Sequence, residues 1–127
     1  MRLGLLFLLL GLCGGCVSAP TLQQQQDAYY GPEPKDYQEI VKNGMSALLK
    51  DPTSATYEFI MPPKKTWYGG GLSGPIQYGW GVCTSINAKN SFGGYTGSKL
   101  YFFLLRDGNF AAMEEDPTVL NPNICKL

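Results

Sequence analysis

The clearest pattern of apolar and polar positions is the amphipathic stretch DYQEIVKNGMSALLKD, residues 36–51. Its apolar side chains recur at intervals of three and four, which places them on one stripe of a helix. Asp36 followed by Glu39 resembles a capping box, and Pro52 ends the run because the residue before a proline disfavours the helical region. Gly44 lies on the apolar side, where a strand could approach closely. The pattern predicts one helix whose buried stripe consists of Tyr37, Ile40, Val41, Met45, Leu48 and Leu49.

Later stretches have the patterns of β-strands. Residues 77–87 alternate between large apolar and small or polar side chains, which is typical of a half-buried strand. The run KLYFFLLR is apolar on both faces and predicts a central strand, and Asp107-Gly108 after it predicts a tight turn. We therefore expect an α+β domain in which one N-terminal amphipathic helix packs on a small antiparallel sheet of about four strands. The predicted strands are residues 56–60, 77–87, 99–106 and 109–113.

Two connecting segments are rich in glycine and aromatic residues. TWYGGGLSGP, residues 66–75, predicts a mobile loop, and INAKNSFGGYTG, residues 86–97, joins two predicted strands. Asn and Gly tolerate positive φ angles, so the second segment is explained as an ordered loop without further function. The alternative is a recognition surface of flat rings and hydrogen-bonding groups carried on loops. Its candidate residues are Trp67, Tyr68, Asn87, Lys89, Asn90, Phe92 and Tyr95.

The N-terminus has the pattern of an export signal. Arg2 precedes the uncharged run LGLLFLLLGL, which is too short for the roughly 20 helical residues that span a bilayer. The small residues that follow it, and then Cys16, resemble the lipobox of bacterial lipoproteins, with Cys13 at the place where leucine is usual. A redox C-x-x-C pair would need a βαβ context, which the position of Cys13 and Cys16 after a leucine-rich run does not provide. Cleavage by ordinary signal peptidase after Ala19 is disfavoured because it would leave Pro20 at the new N-terminus. We expect Cys16 to be acylated.

Three segments follow from this interpretation. Residues 1–15 are the predicted lipoprotein signal peptide, residues 16–35 the lipidated cysteine with a flexible tether, and residues 36–127 a single small domain. The tether contains four glutamines and three prolines without apolar periodicity, and fully extended it would reach about 60 Å. Docking of Tyr29 and Tyr30 on the domain is the alternative for its second half.

Two cysteines belong to the predicted domain, Cys83 and Cys125. An even pair in a small exported domain indicates a disulfide, which would hold the C-terminal tail against the glycine-lined face of the 77–87 strand. The alternative is Cys83 as a catalytic thiol, which would lack a histidine base because the chain has no His.

Composition and charge narrow the possible chemistry. The chain has 10 Lys plus Arg and 10 Asp plus Glu, so no basic excess favours nucleic acid as a partner. The glycine triplet at residues 69–71 lacks the Lys and Ser/Thr of a phosphate-binding loop. Three consecutive carboxylates at residues 114–116 could bind calcium but are more typical of a solvated edge. We predict no cofactor and no metal.

The motifs LLKDPTSATYEF and YGWGVCTSINAKNSFGGYTG carry a resemblance. Over residues 45–106 the chain is similar to a group of small bacterial and phage-borne exported lipoproteins of unknown function, which share a DP-x-SA motif and an NAKNSFGGYTG-like motif. The resemblance implies a shared domain, a bacterial origin and an exported location, and it supplies no catalytic residues.

The predicted function is that of a lipid-anchored envelope protein with a non-enzymatic binding or structural domain. In enterobacterial-type sorting, an Asp directly after the lipidated cysteine retains a lipoprotein in the inner membrane. Val17 occupies that position here, so we expect the outer membrane if the organism is Gram-negative. Its expected partners are the membrane, through the lipid, and another envelope protein or a cell-wall component. A phage- or plasmid-borne exclusion lipoprotein and an enzyme acting on peptidoglycan or glycan are the alternatives. The enzyme would need a pair of carboxylates in a cleft.

Overall fold

The computed structural model describes residues 19–119 and 123–126, and these form an α+β domain with a five-stranded antiparallel sheet. The predicted signal peptide and Cys16 lie outside the described residues. Two short 3₁₀ turns, Gly71–Ser73 and Pro117–Val119, accompany the regular elements. These elements are α1 (Leu22–Asp27), α2 (Tyr37–Ser46), β1 (Asp51–Phe59), β2 (Lys64–Tyr68), β3 (Gln77–Lys89), β4 (Lys99–Arg106) and β5 (Asn109–Glu115).

The 13-residue strand β3 organises the sheet. On one side it pairs with β4, which pairs in turn with β5, so β4 is central as its doubly apolar sequence predicts. On the other side β3 pairs with two short strands in succession, β2 along residues 77–81 and β1 along residues 84–89. Both run antiparallel to β3, so they are two halves of one interrupted edge strand. The interruption contains Pro62 and Pro63, which have no N–H to donate to a ladder.

One face of the sheet, the helix face, packs against α2. Val41 and Met45 of the helix are buried against Val82, Phe103 and Leu105 of the two central strands. The glycine of the helix lies directly over Phe110 of β5: a methyl group on Gly44 would lie 2.3 Å from Cζ of that ring. The close approach expected at Gly44 is therefore present.

The opposite face, the tail face, is covered in part by the C-terminal tail. Cys83 is joined to Cys125 by a disulfide with a Cα–Cα distance of 5.6 Å, which confirms the predicted pairing. Because its sulfur is bonded and its side chain is fully buried, Cys83 is not a free thiol. Ile124 packs beside the disulfide against a cluster formed by Met61, Cys83, Phe102 and Leu104.

The helix and the strand count differ from the sequence-based expectation. The predicted helix runs to residue 51, but α2 ends at Ser46, and Leu48 is 56% exposed instead of belonging to the buried stripe. The side chain of Asp36 makes no capping hydrogen bond, so the predicted capping box is absent. Its backbone carbonyl accepts the first hydrogen bonds of the helix, from the N–H groups of Glu39 and Ile40. β2 occupies Lys64–Tyr68, so the predicted mobile loop begins later than residue 66. Pairing with β3, which the local sequence does not encode, orders this segment.

The segment predicted as a tether also contains structure. Thr21 forms a capping box at the start of α1, with Gln24 as its partner. The chain then contacts the sheet, since the carbonyl of Gly31 accepts a bond of 3.1 Å from the indole N–H of Trp80. Tyr30 packs edge-on against Tyr78 with ring centroids 5.7 Å apart. The structure thus shows the docked arrangement for the second half of this segment, which corrects the flexible tether expected up to residue 35.

Neither of the two α-helices among the described residues has the length and apolar character to cross a membrane.

Candidate functional site

The predicted recognition residues fall into two groups at opposite ends of β3. Trp67 pairs with Tyr78 and Tyr68 pairs with Gln77, at the start of the strand. Asn87 lies ten residues further along it, which corresponds to about 33 Å of extended chain. We call these ends the groove end (residues 66–79 with the β4–β5 turn) and the loop end (residues 87–97). The structure does not combine the seven residues into one surface.

At the loop end, the Phe92 loop (residues 90–97) is ordered by Asn90. The Oδ1 atom of Asn90 accepts bonds from the backbone N–H groups of Phe92 at 2.9 Å and Gly94 at 3.2 Å. The backbone N–H of Asn90 donates to the carbonyl of Gly94 at 2.8 Å, and Gly93 takes a φ of 80°. Asparagine and glycine are the residue types that supply such local bonds and positive φ angles.

The DP-x-SA motif holds the base of the same loop. Ser54 Oγ accepts a 2.9 Å bond from the backbone N–H of Lys89, and the Ser54 carbonyl accepts a 3.1 Å bond from the hydroxyl of Tyr95. Ser54 Oγ also donates to the Asp51 carbonyl at 2.8 Å. The pKa of Asp51 is lowered, chiefly by the hydroxyl of Thr53 that donates to its carboxylate. Two motifs about 40 residues apart in the sequence are therefore joined by hydrogen bonds. We call this unit, residues 51–54 together with residues 89–97, the clasp.

The clasp presents one large apolar side chain to solvent. Phe92, at the tip of the loop, is 97% exposed, whereas Tyr95 is about half exposed and lies 5.5 Å from Lys89 Nζ. Asn87 is not a free hydrogen-bonding group of this surface: its Oδ1 atom is buried and has no partner among the described residues. Phe92, Tyr95, Lys89 and Asn90 are therefore the predicted residues that the fold brings together.

At the groove end, a groove of about 500 Å³ lies between β2, the following glycine-rich turn and the C-terminal tail. Lys64 and Lys126 stand on its walls, and the described lining residues include no Asp or Glu. The Tyr68 hydroxyl donates to Glu114, and its ring packs 5.6 Å from that of Phe102. Burial and the Glu114 carboxylate raise the pKa of Tyr68 to about 12. Tyr68 therefore serves the structure of the groove wall, and its hydroxyl is already occupied.

The acidic run at residues 114–116 does not converge. Alternation along β5 sends Glu114 to the tail face and Glu115 to the helix face. Glu115 forms an ion pair with Lys99 at 2.7 Å, which lowers the pKa of Glu115, and it accepts a 3.1 Å bond from Tyr101. Across residues 19–119 and 123–126, no group of three or more acidic, Cys or His side chains could hold a metal ion.

The DP-x-SA motif contains Asp51 and Ser54, but their role in holding the Phe92 loop does not follow from the sequence. An Asp followed by hydroxyl residues two and three positions later is the signal of a local side-chain-to-backbone turn. That signal predicts a turn but not its partner, the loop that follows β3.

No family model, no curated protein and no solved structure matches this chain.

Proposed function

We propose that this protein is a lipid-anchored envelope protein whose domain binds another protein through the Phe92 loop, without catalysing a reaction. The observation that carries the proposal is the exposed Phe92 on a loop that hydrogen bonds hold in one conformation. A phenylalanine of this kind loses little entropy on binding, and its burial in a partner is worth about 1.5–3 kcal/mol. Ordered aromatic residues on loops are typical contact residues of binding proteins.

The surroundings of the loop support this assignment. The half-exposed ring of Tyr95 and the ammonium of Lys89 lie beside it, so the loop end combines apolar, aromatic and cationic contacts. The two carboxylates of β5 are both engaged, Glu114 with Tyr68 and Glu115 with Lys99. These pairs do not supply the opposed carboxylates in a cleft that a glycan-cleaving enzyme requires.

The anchor is tested by the intact mass of the protein extracted from membranes. We expect a chain that begins at Cys16 with the mass of added acyl groups and without free thiols. The Cys16→Ala variant should lack the added mass and leave the membrane fraction. An unacylated wild-type chain would overturn the anchor.

The binding surface is tested by a photo-crosslinking amino acid placed at Phe92 in the full chain in cells. We expect a discrete adduct with one protein, absent when the same probe replaces Gln38 on the exposed side of α2. Ser54→Ala in the Phe92-probe chain should weaken the adduct while the domain still folds, because it loosens the base of the loop. Equal adducts at both positions, or none at Phe92, would refute the proposed surface.

A further inference from the structure

The distance between the predicted lipid and the folded domain is short. Cys16 lies three residues before Ala19, the first residue that the structure describes, and three residues of chain span at most about 11 Å. The chain is helical over Leu22–Asp27, and at Gly31 it contacts the sheet through the indole of Trp80. The tether of about 60 Å that the sequence suggests is therefore not available to lift the domain from the membrane.

The anchored segment reaches the domain at the groove end. The Tyr29 hydroxyl donates to Asp107 Oδ1 at 2.8 Å, in the turn between β4 and β5. Lys65 of β2 holds its ammonium 5.4 Å from the ring of Tyr30. These contacts join residues 29–31 to the end of the sheet where β2 and β4 finish, which is the end opposite the Phe92 loop.

The groove end also carries an exposed apolar side chain. Leu72 forms the tip of the 3₁₀ turn between β2 and β3 and is fully exposed. Leu22 of α1 is 78% exposed on the anchored segment itself. A leucine at the tip of a turn can enter the interfacial region of a bilayer without any rearrangement of the sheet, and removal of its surface from water favours that position.

We propose that the groove end docks on the surface of the lipid bilayer, with Leu72 as its apolar contact, so that the Phe92 loop is held about 40 Å from the membrane. The height follows from the twelve steps between Gln77 and Lys89 at about 3.3 Å each, for a strand that stands upright. The inference rests on the acylation of Cys16 that we propose above. It assigns the two ends of the sheet to two partners, the bilayer and a protein.

The test uses the full acylated chain in phosphatidylethanolamine/phosphatidylglycerol vesicles whose acyl chains are brominated. Leu72→Cys is labelled with an environment-sensitive fluorophore under non-reducing conditions, and Phe92→Cys with the same fluorophore is the matched control. We expect the probe at position 72 to shift to the blue and to lose emission by bromine quenching, and the probe at position 92 to do neither.

The outcomes separate the two proposals. If intact mass confirms acylation and the probe at position 72 is not quenched, the docking is refuted while the lipid anchor stands. If both probes are quenched, the domain lies flat and the proposed orientation is wrong. If the chain is not acylated, the anchor fails and the docking fails with it. A Gly/Ser linker inserted between Ser18 and Ala19 should reduce quenching at position 72, and unchanged quenching would refute the role of the short connection.

Discussion

Gly44 gives the sharpest prediction about the fold, because two effects of opposite sign meet there. In the interior of an exposed helix, Gly→Ala stabilises by about 1 kcal/mol through the entropy of the unfolded backbone. In this chain the added methyl would lie 2.3 Å from Cζ and 2.6 Å from Cε2 of Phe110, about 1 Å inside ordinary van der Waals contact. Either helix α2 or the ring of Phe110 must therefore move.

The ring of Phe110 has no room to withdraw inward. Its centroid lies 5.0 Å from that of Phe103, which is completely buried between the helix and the sheet. The helix would therefore lift or the ring would turn toward solvent, and overpacking of this kind costs about 1–3 kcal/mol. We expect Gly44→Ala to destabilise the domain by a net of about 1 kcal/mol, a fall in Tm of about 4–8 °C.

The assay is urea and thermal unfolding followed by circular dichroism. Asn43→Ala, one residue earlier on the exposed side of α2, is the matched control and should be neutral or slightly stabilising. In a Phe110→Ala background the same Gly44→Ala change should become stabilising, since the obstacle is gone. If Gly44→Ala stabilised the wild-type domain by the full helix-propensity gain, the packing of α2 on β5 described above would be wrong.

The remaining predictions concern the tail, a tyrosine and the clasp. Reduction of the Cys83–Cys125 disulfide, which closes a loop of 42 residues, should lower the free energy of unfolding by about 2–4 kcal/mol; an unchanged urea midpoint under reducing conditions would contradict this. The pKa of Tyr68 is raised in the folded state, so its contribution to stability is complete below pH 10 and is lost as the pH rises toward about 12. Tyrosinate absorbance should show this late titration, and its persistence in Tyr68→Phe would mean that another tyrosine is responsible. Ser54→Ala should lower the free energy of unfolding by about 1–3 kcal/mol and speed amide hydrogen exchange in the Phe92 loop. Ser91→Ala, on the exposed loop itself, is the control and should do neither. Equal protection of the loop amides from exchange in the two variants would argue against the clasp.

Local sequence determined those elements whose pattern is strong by itself. The apolar period of α2, the doubly apolar sequence of β4 and the turn at Asp107-Gly108 each follow from side-chain spacing and backbone preference. The Cys83–Cys125 bridge was also predictable, because only two cysteines remain once the N-terminal pair is assigned to the export signal.

Tertiary structure alone decided the arrangement of the candidate sites. β2 has little strand pattern, and it becomes a strand because the first half of β3 offers an unpaired edge. Residues 28–31 lack apolar periodicity, yet Trp80 and Tyr78 give them partners. Ser54 and Tyr95 meet only because antiparallel pairing of β1 with β3 brings the DP-x-SA motif to the base of the Phe92 loop. Spacing along the chain reports only the local preference of a segment. The separation of the groove end from the loop end depends on the length and register of β3, and these are set by pairing between residues that are distant in the sequence.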